Sequence, residues 1–250
     1  MAKKIAFGDN LKVRFSVVRK VPYTFLHHKK SGSIYIVGVG PGSPAYLTLQ
    51  ARQIIEQSDV IAGYELSLNA VRELLKHKIV LVQTVKNRNE ILDIVAREKD
   101  KGKSCSILRV GDPCYSSGIQ ELLGRFKTAR IIPGISSIQV AVARLGLVLE
   151  ETVILTFHID GDIEVVKLAL LNSIKESKIA VVLVGSRFMP KDVADFLISH
   201  GIDRKLPVTI YGNLTLENER TFNGELNDLL GKKFSYLSVM IIPNFGIIGK

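Results

Sequence analysis

The sequence predicts an α/β protein with two successive domains, the first built on a mostly parallel sheet and the second on a mixed sheet. Short apolar runs alternate with helical patterns along residues 33–146, which is typical of a parallel sheet covered by helices. Further along, a long polar segment, 212–225, separates apolar runs and favours antiparallel returns. The chain has 250 residues, 46% of them hydrophobic, which is ample for two modest domains.

The first predicted domain covers residues 33–148, where strand and helix patterns alternate. Its strands are predicted at SIYIVG (33–38), DVIAG (59–63), IVLVQ (79–83), SCSILRV (104–110) and ARIIP (129–133). Its helices are predicted at 47–58, 66–75, 88–102, 118–126 and 136–146. In the first helix, Leu47, Ala51 and Ile55 share one face, as the helical period requires.

The second predicted domain covers residues 149–250, because the rhythm of the pattern changes near residues 146–151. Its strands are predicted at 152–158, 178–185, 206–213 and 237–243, and its helices through VKLALLNSI (166–174) and over 191–201. An acidic turn, DGDIE, follows the first of these strands.

Residues 1–32 are predicted to be a basic extension. Residues 1–30 contain eight Lys and Arg residues against Asp9 alone, so seven of the ten excess positive charges lie there. Apolar and polar residues alternate on both sides of the turn signal GDN, a pattern typical of a β-hairpin. Aromatic and basic residues interleave little, so nucleic-acid binding is not favoured.

The composition argues against membrane, secreted and metal-binding proteins. No apolar run reaches the roughly 18 residues of a membrane-spanning helix, and the N-terminus lacks the apolar core of a secretory signal. Cys105 and Cys114 are the two cysteines, and neither they nor the histidines show a metal-binding spacing. We therefore expect a cytoplasmic protein without a metal site.

Three loops rich in glycine, proline and serine follow predicted strands of the first domain. They are the first loop, GVGPGSP (38–44), the second loop, VGDPCYSSG (110–118), and the third loop, PGISS (133–137). Ligands of open α/β sheets bind beyond the carboxyl ends of the strands, which is where these loops lie. Glycine lets a backbone approach a ligand closely, and serine suits the N-cap of the next helix. Three such loops at one edge predict a binding site.

The first loop matches the dinucleotide fingerprint G-x-G-x-x-G only in part. Gly38 and Gly40 fit, but the sixth position is Ser43, and Pro41 removes an amide where a pyrophosphate would need one. Glu65 is the candidate acidic residue for a ribose after the second strand. The turn therefore favours a ligand without phosphate, such as S-adenosylmethionine.

The motifs VGVGPGSPAYLT, VGDP, PGISS and RLGL, in this order and spacing, resemble those of the tetrapyrrole methylases over residues 33–243. The resemblance implies an S-adenosylmethionine-dependent methyltransferase with two α/β domains, a cofactor cleft between them and a homodimeric assembly. Within the family, four segments are most similar to the enzymes that methylate carbon 5 of cobalt-precorrin-7 in cobalamin biosynthesis: residues 133–147, Phe157-His158, 212–229 and 234–243.

By the same resemblance, eight residues contact the cofactor: Pro41, Gly111, Asp112, Tyr115, Ser136, Ser137, Val184 and Leu214. Asp112 would accept hydrogen bonds from it, whereas Val184 and Leu214 would form the wall of the second domain. The resemblance implies no metal and identifies no catalytic base.

The implied substrate is a corrin precursor with several carboxylates. Arg109, Arg144 and Arg187 are candidate partners for them by position. The decarboxylating methylation at carbon 15 is expected from a separate partner enzyme. The chain departs from the subgroup at Ser116-Ser117, where glycines are usual, and at Ile159-Asp160, where a glycine usually follows the histidine.

Three alternatives stay open. Another precorrin methylase, a uroporphyrinogen III methylase or a ribosomal RNA ribose methylase would share the fold, although VGDPCYSSG lacks the second-loop sequences expected of the latter two. A non-catalytic nucleic-acid-binding protein would use residues 1–30 and transfer no methyl group. An oxidoreductase on a dinucleotide-binding sheet is disfavoured by Pro41 and Ser43.

Overall fold

The computed structural model describes residues 32–115, 118–159 and 161–243, which contain two five-stranded sheets. The predicted hairpin of the basic extension and the departures at Ser116-Ser117 and Asp160 lie outside the described residues. The two sheets follow one another along the chain, the first between residues 34 and 132 and the second between residues 152 and 242.

The first sheet is parallel throughout, with the strand order β3-β2-β4-β1-β5. Its strands are β1 (Ile34–Gly38), β2 (Val60–Tyr64), β3 (Ile79–Gln83), β4 (Cys105–Arg109) and β5 (Arg130–Ile132). The central strands are apolar and almost fully buried, as expected where helices cover both faces. The predicted parallel sheet is confirmed. Because β4, β1 and β5 are neighbours, the three loops that follow them emerge side by side.

Helices of the first part lie close to their predicted positions, with one exception. They are α1 (Leu49–Gln57), α2 (Glu65–Asn69), α3 (Arg88–Asp100) and α4 (Ile119–Arg125). The prediction of one helix over 66–75 is wrong. Its residues divide into α2 and a separate 3₁₀ turn, Arg72–Leu74, because Val71 departs from helical backbone with φ −127° and ψ 20°.

The second sheet is mixed, with the strand order β6-β7-β10-β8-β9. Its strands are β6 (Thr152–Thr156), β7 (Ile179–Leu183), β8 (Pro207–Gly212), β9 (Arg220–Glu225) and β10 (Ser238–Ile242), and its helices are α6 (Glu164–Lys175) and α7 (Pro190–Ser199). β6 and β7 are parallel, whereas β10 runs antiparallel to β7 and β8. The polar segment 212–225 returns as β9, antiparallel to β8, which confirms the predicted return.

α5 (Ser137–Arg144) joins the two halves through its packing. Ile138 and Ala141 belong to one hydrophobic cluster with Val181 of β7 and Val239 of β10. The helix that follows the last strand of the first sheet therefore packs on the second sheet. We propose residue 148 as the point where the chain passes from one domain to the next.

Candidate cofactor site

The first and second loops continue the pairing of β1 and β4 beyond the edge of the sheet. The Val39 amide donates to the Arg109 carbonyl (2.9 Å), and the Gly111 amide donates to the Gly40 carbonyl (2.7 Å). Gly40 and Gly111 form an isolated antiparallel bridge. The two loops are thus fixed to each other by backbone hydrogen bonds.

Asp112 connects the second loop to the third. Its Oδ1 accepts from the Cys114 amide (2.7 Å) and its Oδ2 accepts from the Gly134 amide (3.0 Å). The side chain therefore shapes its own turn and also fixes the neighbouring loop. Each carboxylate oxygen has two lone pairs, so both retain capacity to accept a hydrogen bond from a ligand.

Three glycines bring the backbones of the loops into contact. A Cβ on Gly38 would lie 2.6 Å from the Gly111 carbonyl oxygen, and a Cβ on Gly134 would lie 2.2 Å from the same atom. Gly111 has φ +70°, in the left-handed region that favours glycine. A side chain at Gly38 or Gly134 would therefore force the loops apart, whereas one at Gly111 would strain its own backbone.

The third loop ends at the N-terminus of α5. The Ser136 hydroxyl accepts from the Gln139 amide (3.2 Å), and Gln139 Oε1 accepts from the Ser136 amide (2.7 Å), which completes a capping box. Ser136 is 3% exposed, and its Cα would lie 3.7 Å from a Cβ on Gly111. Ser137, half-buried, begins the helix. The structure thus brings Ser136 against the second loop.

Pro41 and Tyr115 differ in exposure. Pro41 is buried between Gly40 and Gly42, which both have positive φ. Tyr115 ends the short 3₁₀ turn Pro113–Tyr115 and is 41% exposed. Its ring is therefore accessible to a ligand, whereas Pro41 shapes the first loop from inside.

Val184 and Leu214 are core residues of the second half. Val184 follows β7, is fully buried, and its amide donates to the Ser238 carbonyl (3.4 Å). Leu214 is 4% exposed and packs in the cluster that contains α5. Packing therefore occupies both side chains, and a ligand would meet the backbone of these residues. Leu214 directly precedes Thr215, whose hydroxyl accepts from the Ser43 amide of the first loop (3.1 Å).

The three candidate arginines occupy different environments. Arg109 lies beneath the second loop, where burial lowers its pKa, and it shares a small cavity with Gln83 and Arg88. Arg144 forms an ion pair with Glu219. Arg187 donates to the Ile159 carbonyl (2.7 Å). Of the three, Arg109 is the one that the fold places at the end of the second loop, where a Cβ on Gly118 would lie 3.8 Å from its Nη2.

His158 has a setting that the sequence alone does not locate. The residue follows β6, its ring is hydrogen-bonded to the Val184 backbone, and burial lowers its pKa. The neutral imidazole is thus favoured near neutral pH. The Phe157-His158 pair in the sequence was the signal, but its proximity to Val184 depends on the pairing of β6 with β7.

Within the described ranges, no group of three or more His, Cys, Asp or Glu side chains is placed to hold a metal ion. Nor is any described helix long and apolar enough to cross a bilayer.

Three loops that contain glycine lie at the carboxyl edge of a parallel sheet and contact the half that holds the mixed sheet, an arrangement typical of α/β proteins that bind a ligand. The family model described as Tetrapyrrole (Corrin/Porphyrin) Methylases matches residues 33–230. The chain therefore belongs to that family and is a methyltransferase, which confirms the prediction made from its motifs.

Individual proteins are similar to the chain in sequence or in fold. A probable cobalt-precorrin-7 C(5)-methyltransferase from Methanocaldococcus jannaschii is 36% identical over 211 residues, covering 83% of this chain and 96% of the relative. The solved cobalamin biosynthesis precorrin-6Y methylase from Archaeoglobus fulgidus has a TM-score of 0.63 at 23% identity, covering 85% of this chain and 98% of its own. A solved cobalt precorrin-4 methyltransferase has a TM-score of 0.67 at 20% identity, covering 84% and 94%. These structures confirm the predicted fold class.

Proposed function

We propose that this protein transfers a methyl group from S-adenosylmethionine to carbon 5 of cobalt-precorrin-7 during cobalamin biosynthesis. The observation that carries the proposal is the 36% identity to a relative of that name over 96% of the relative's length. The similarity to that relative favours carbon 5 of the corrin ring as the acceptor, over the acceptors of other methylases with this fold.

The residues at the three loops fit this cofactor. Asp112 offers carboxylate lone pairs to ribose hydroxyls or an amino group, and such charge-assisted hydrogen bonds are among the stronger ones. Gly38 and Gly134 let the backbones of the three loops lie against one another, which fixes the position of Asp112 and Gly111. Tyr115 presents an accessible ring at the end of the second loop. We propose that Pro41, Ser136, Ser137 and the backbones of Val184 and Leu214 complete the site.

S-adenosylmethionine supplies a methyl group that is already activated on its sulfonium. The task of the chain is to hold donor and acceptor in line and to exclude water, which lowers the barrier without a protein nucleophile. The rigid contacts among the three loops suit that task. We propose that Arg109, beside the second loop, binds a carboxylate of the substrate.

Calorimetry and mass spectrometry test the proposal. We expect S-adenosylhomocysteine to bind and NAD not to bind, because the first loop lacks the phosphate fingerprint at Pro41 and Ser43. Incubation with S-adenosylmethionine and separate corrinoid intermediates should give a product 14 mass units heavier, about one added CH₂, with cobalt-precorrin-7. Tight NAD binding without a response to S-adenosylhomocysteine would contradict the cofactor assignment, and methylation of a different intermediate would correct the substrate.

We also propose a cytoplasmic homodimer. Supporting this, the edge strand β3 exposes Ile79, Val80 and Val82 by 37–50%, although apolar edge strands are usually covered. Cys105 and Cys114 are free thiols, as suits a reducing compartment. Sedimentation equilibrium of the wild type and Val82→Lys tests the assembly, and a monomeric wild type would contradict it.

A further inference from the structure

A series of contacts fastens the first loop to the loop that follows β8. The Ser43 amide donates to the Thr215 hydroxyl at 3.1 Å, across 172 positions of sequence. The Thr215 amide in turn donates to Glu219 Oε2 at 2.6 Å. The Thr215 hydroxyl thus contacts the first loop, which follows β1, whereas the Thr215 amide is held by Glu219 in its own loop.

Thr215 has an unusual backbone conformation. Its φ is 71°, and Asn213, two residues earlier, has φ 52°. A β-branched residue is rare in the left-handed region. Such strain persists where surrounding contacts fix the residue, and it concentrates at functional sites. Here the fixing contacts are the hydrogen bonds of Thr215 to Ser43 and Glu219.

Glu219 has a second partner at the end of α5. Its Oε1 forms an ion pair with Arg144, which is also hydrogen-bonded to Tyr46. The Arg144 guanidinium lies 5.7 Å from the centre of the Tyr211 ring. Arg144 is therefore held by side chains from both halves of the chain, which favours a bracing role over the substrate contact that its position suggested.

The first loop also packs tightly against the same segment. A Cβ on Gly42 would lie 2.5 Å from Leu216 Cδ2 and 3.4 Å from Thr215 Oγ1. Pro41 precedes Gly42, and Leu214 precedes Thr215. The contacts therefore join the two segments that would line opposite sides of the cofactor.

We propose that Thr215 and Glu219 are positioning residues, which hold the first loop in the conformation that binds the cofactor. We call Ser43, Thr215, Glu219 and Arg144 the latch. The proposal rests on the proposed function for its ligand, but the latch itself is defined by contacts of the chain. Neither Thr215 nor Glu219 needs to touch the cofactor, because each acts through Ser43 and its loop.

The test uses Thr215→Val, which keeps the branched shape but removes the oxygen that Ser43 bonds. We expect faster hydrogen exchange of the Ser43 amide and a dissociation constant for S-adenosylhomocysteine raised roughly three- to tenfold, the effect of one hydrogen bond. Glu219→Ala should do the same, and Glu219→Gln, which can still accept from the Thr215 amide, should recover part of the affinity. Glu217→Gln, at an exposed position of the same loop, is the matched control.

The outcomes separate the latch from a merely structural role. If Thr215→Val lowers the unfolding temperature but leaves Ser43 exchange and affinity unchanged, the proposal is overturned. Faster exchange with unchanged affinity also overturns it, because the loop would then be free to move without consequence for the ligand. The double variant combines Thr215→Val with Glu219→Ala. If its loss of affinity is the simple sum of the two single losses, Glu219 does not act through Thr215, since coupled residues are non-additive.

Failure of the proposed function gives a different result. If the wild type does not bind S-adenosylhomocysteine at all, the cofactor assignment fails together with the positioning role. Ser43 exchange in the wild type and in Thr215→Val still decides whether the hydrogen bond exists. The two failures are therefore distinguishable with the same protein samples.

Discussion

The two edges of the first sheet are held together by different kinds of contact. At the carboxyl edge, the Gly111 carbonyl oxygen occupies the space that a Cβ on Gly38 or Gly134 would need. At the amino edge, charged side chains connect neighbouring segments. Glu98 forms ion pairs with Lys101 and Lys103, and Asp59 Oδ2 accepts from the Ser104 amide (2.9 Å). The carboxyl edge thus combines close backbone contact with the Asp112 carboxylate, whereas the ion pairs of Glu98 lie at the amino edge.

This difference indicates where substitutions would affect ligand binding. At Gly38 and Gly134 the backbone contacts leave no room for an added Cβ, so a side chain there displaces the loops that meet at the Gly111 carbonyl. Exposed ion pairs are typically worth about 0–1 kcal/mol, and losing one leaves the backbone in place. We therefore expect large effects on affinity at the carboxyl edge and small effects, confined to stability, at the amino edge.

The largest expected effect is that of Gly134→Ala. Its Cβ would lie 2.2 Å from the Gly111 carbonyl oxygen, so the second and third loops must separate. Overpacking of this kind costs about 1–3 kcal/mol of stability, and the displaced loops should lose S-adenosylhomocysteine binding. Thermal unfolding and calorimetry measure the two effects.

Gly124→Ala is the matched control for that variant. Gly124 lies in α4 with nothing within 4 Å of its Cβ, so alanine should stabilise the helix by about 0.5–1 kcal/mol and leave affinity unchanged. If both variants bind the ligand as the wild type does, close backbone contact at the carboxyl edge is not what shapes the site.

The second prediction compares two aspartates at opposite edges. Asp112→Ala should weaken cofactor binding by about 1.5–3 kcal/mol, the range for hydrogen bonds to charged groups. Asp59→Ala should leave affinity unchanged, because Asp59 precedes β2 at the amino edge and bonds the Ser104 amide. Calorimetry and thermal unfolding of both variants check this.

The contacts of Asp112 with Cys114 and Gly134 make a stability loss expected as well. Cofactor affinity distinguishes a carboxylate that binds the cofactor from one that only stabilises its own turn. If Asp112→Ala is less stable but binds the cofactor as tightly as Asp59→Ala does, Asp112 is a turn-former and lies outside the site.

Much of this comparison was predictable from sequence. Apolar runs predicted the strands, and clusters of glycine, proline and serine predicted which loops gather at the carboxyl edge, because parallel strands place those loops side by side. These features are predictable because a few consecutive residues specify each strand and each loop.

Contacts between distant segments were not predictable in the same way. The residues around Thr215 do not predict its hydrogen bond with Ser43. The sequence pattern of α5 predicts an apolar face but not that this face packs against β7 and β10. The hydrogen bond that Asp59 accepts from the Ser104 amide also joins positions 45 residues apart. Burial of the Val184 side chain likewise follows from packing and not from its local sequence.

The third prediction concerns pH. The Arg144 guanidinium holds the pKa of the Glu219 carboxyl below its usual range, with its hydrogen bond as the largest cause. A lowered folded-state pKa gives stability that is present above the unfolded pKa, about 4.3, and is lost as pH falls through the folded value. Glu219→Gln should therefore cost about 0.5–1 kcal/mol near pH 7 and progressively less in acid.

Unfolding temperatures between pH 3 and pH 7 check that sign, at roughly 2–4 °C per kcal/mol for a chain of this size. Glu98 is the comparison at the amino edge, where its hydrogen bonds with Lys101 and Lys103 lower its pKa to about 2. Glu98→Gln should change the acid limb of the stability curve without any effect on cofactor affinity. A constant difference between wild type and Glu219→Gln at every pH would contradict the ion-pair account.

The smallest expected effect is that of deleting residues 1–30. The chain enters β1 at the amino edge, where a Cβ on Gly32 would lie 1.9 Å from the Lys99 carbonyl oxygen. The deleted segment is therefore attached at the opposite end of the sheet from the three loops, and the family match begins only at residue 33. We expect the dissociation constant for S-adenosylhomocysteine to stay within a few-fold of the wild-type value, since the loops keep their contacts with one another.

The competing outcome is that the segment, with its seven excess positive charges, is held against the cleft by charge. Thirty residues, at about 3.3 Å each when extended, are long enough to reach it.

Calorimetry at low and high salt on the full chain and on the form without residues 1–30 decides between the two outcomes. If the deletion weakens S-adenosylhomocysteine binding tenfold, about 1.4 kcal/mol, the extension lies on the cleft. If that weakening disappeared at high salt, charge would be its cause, and the carboxyl edge would not act alone.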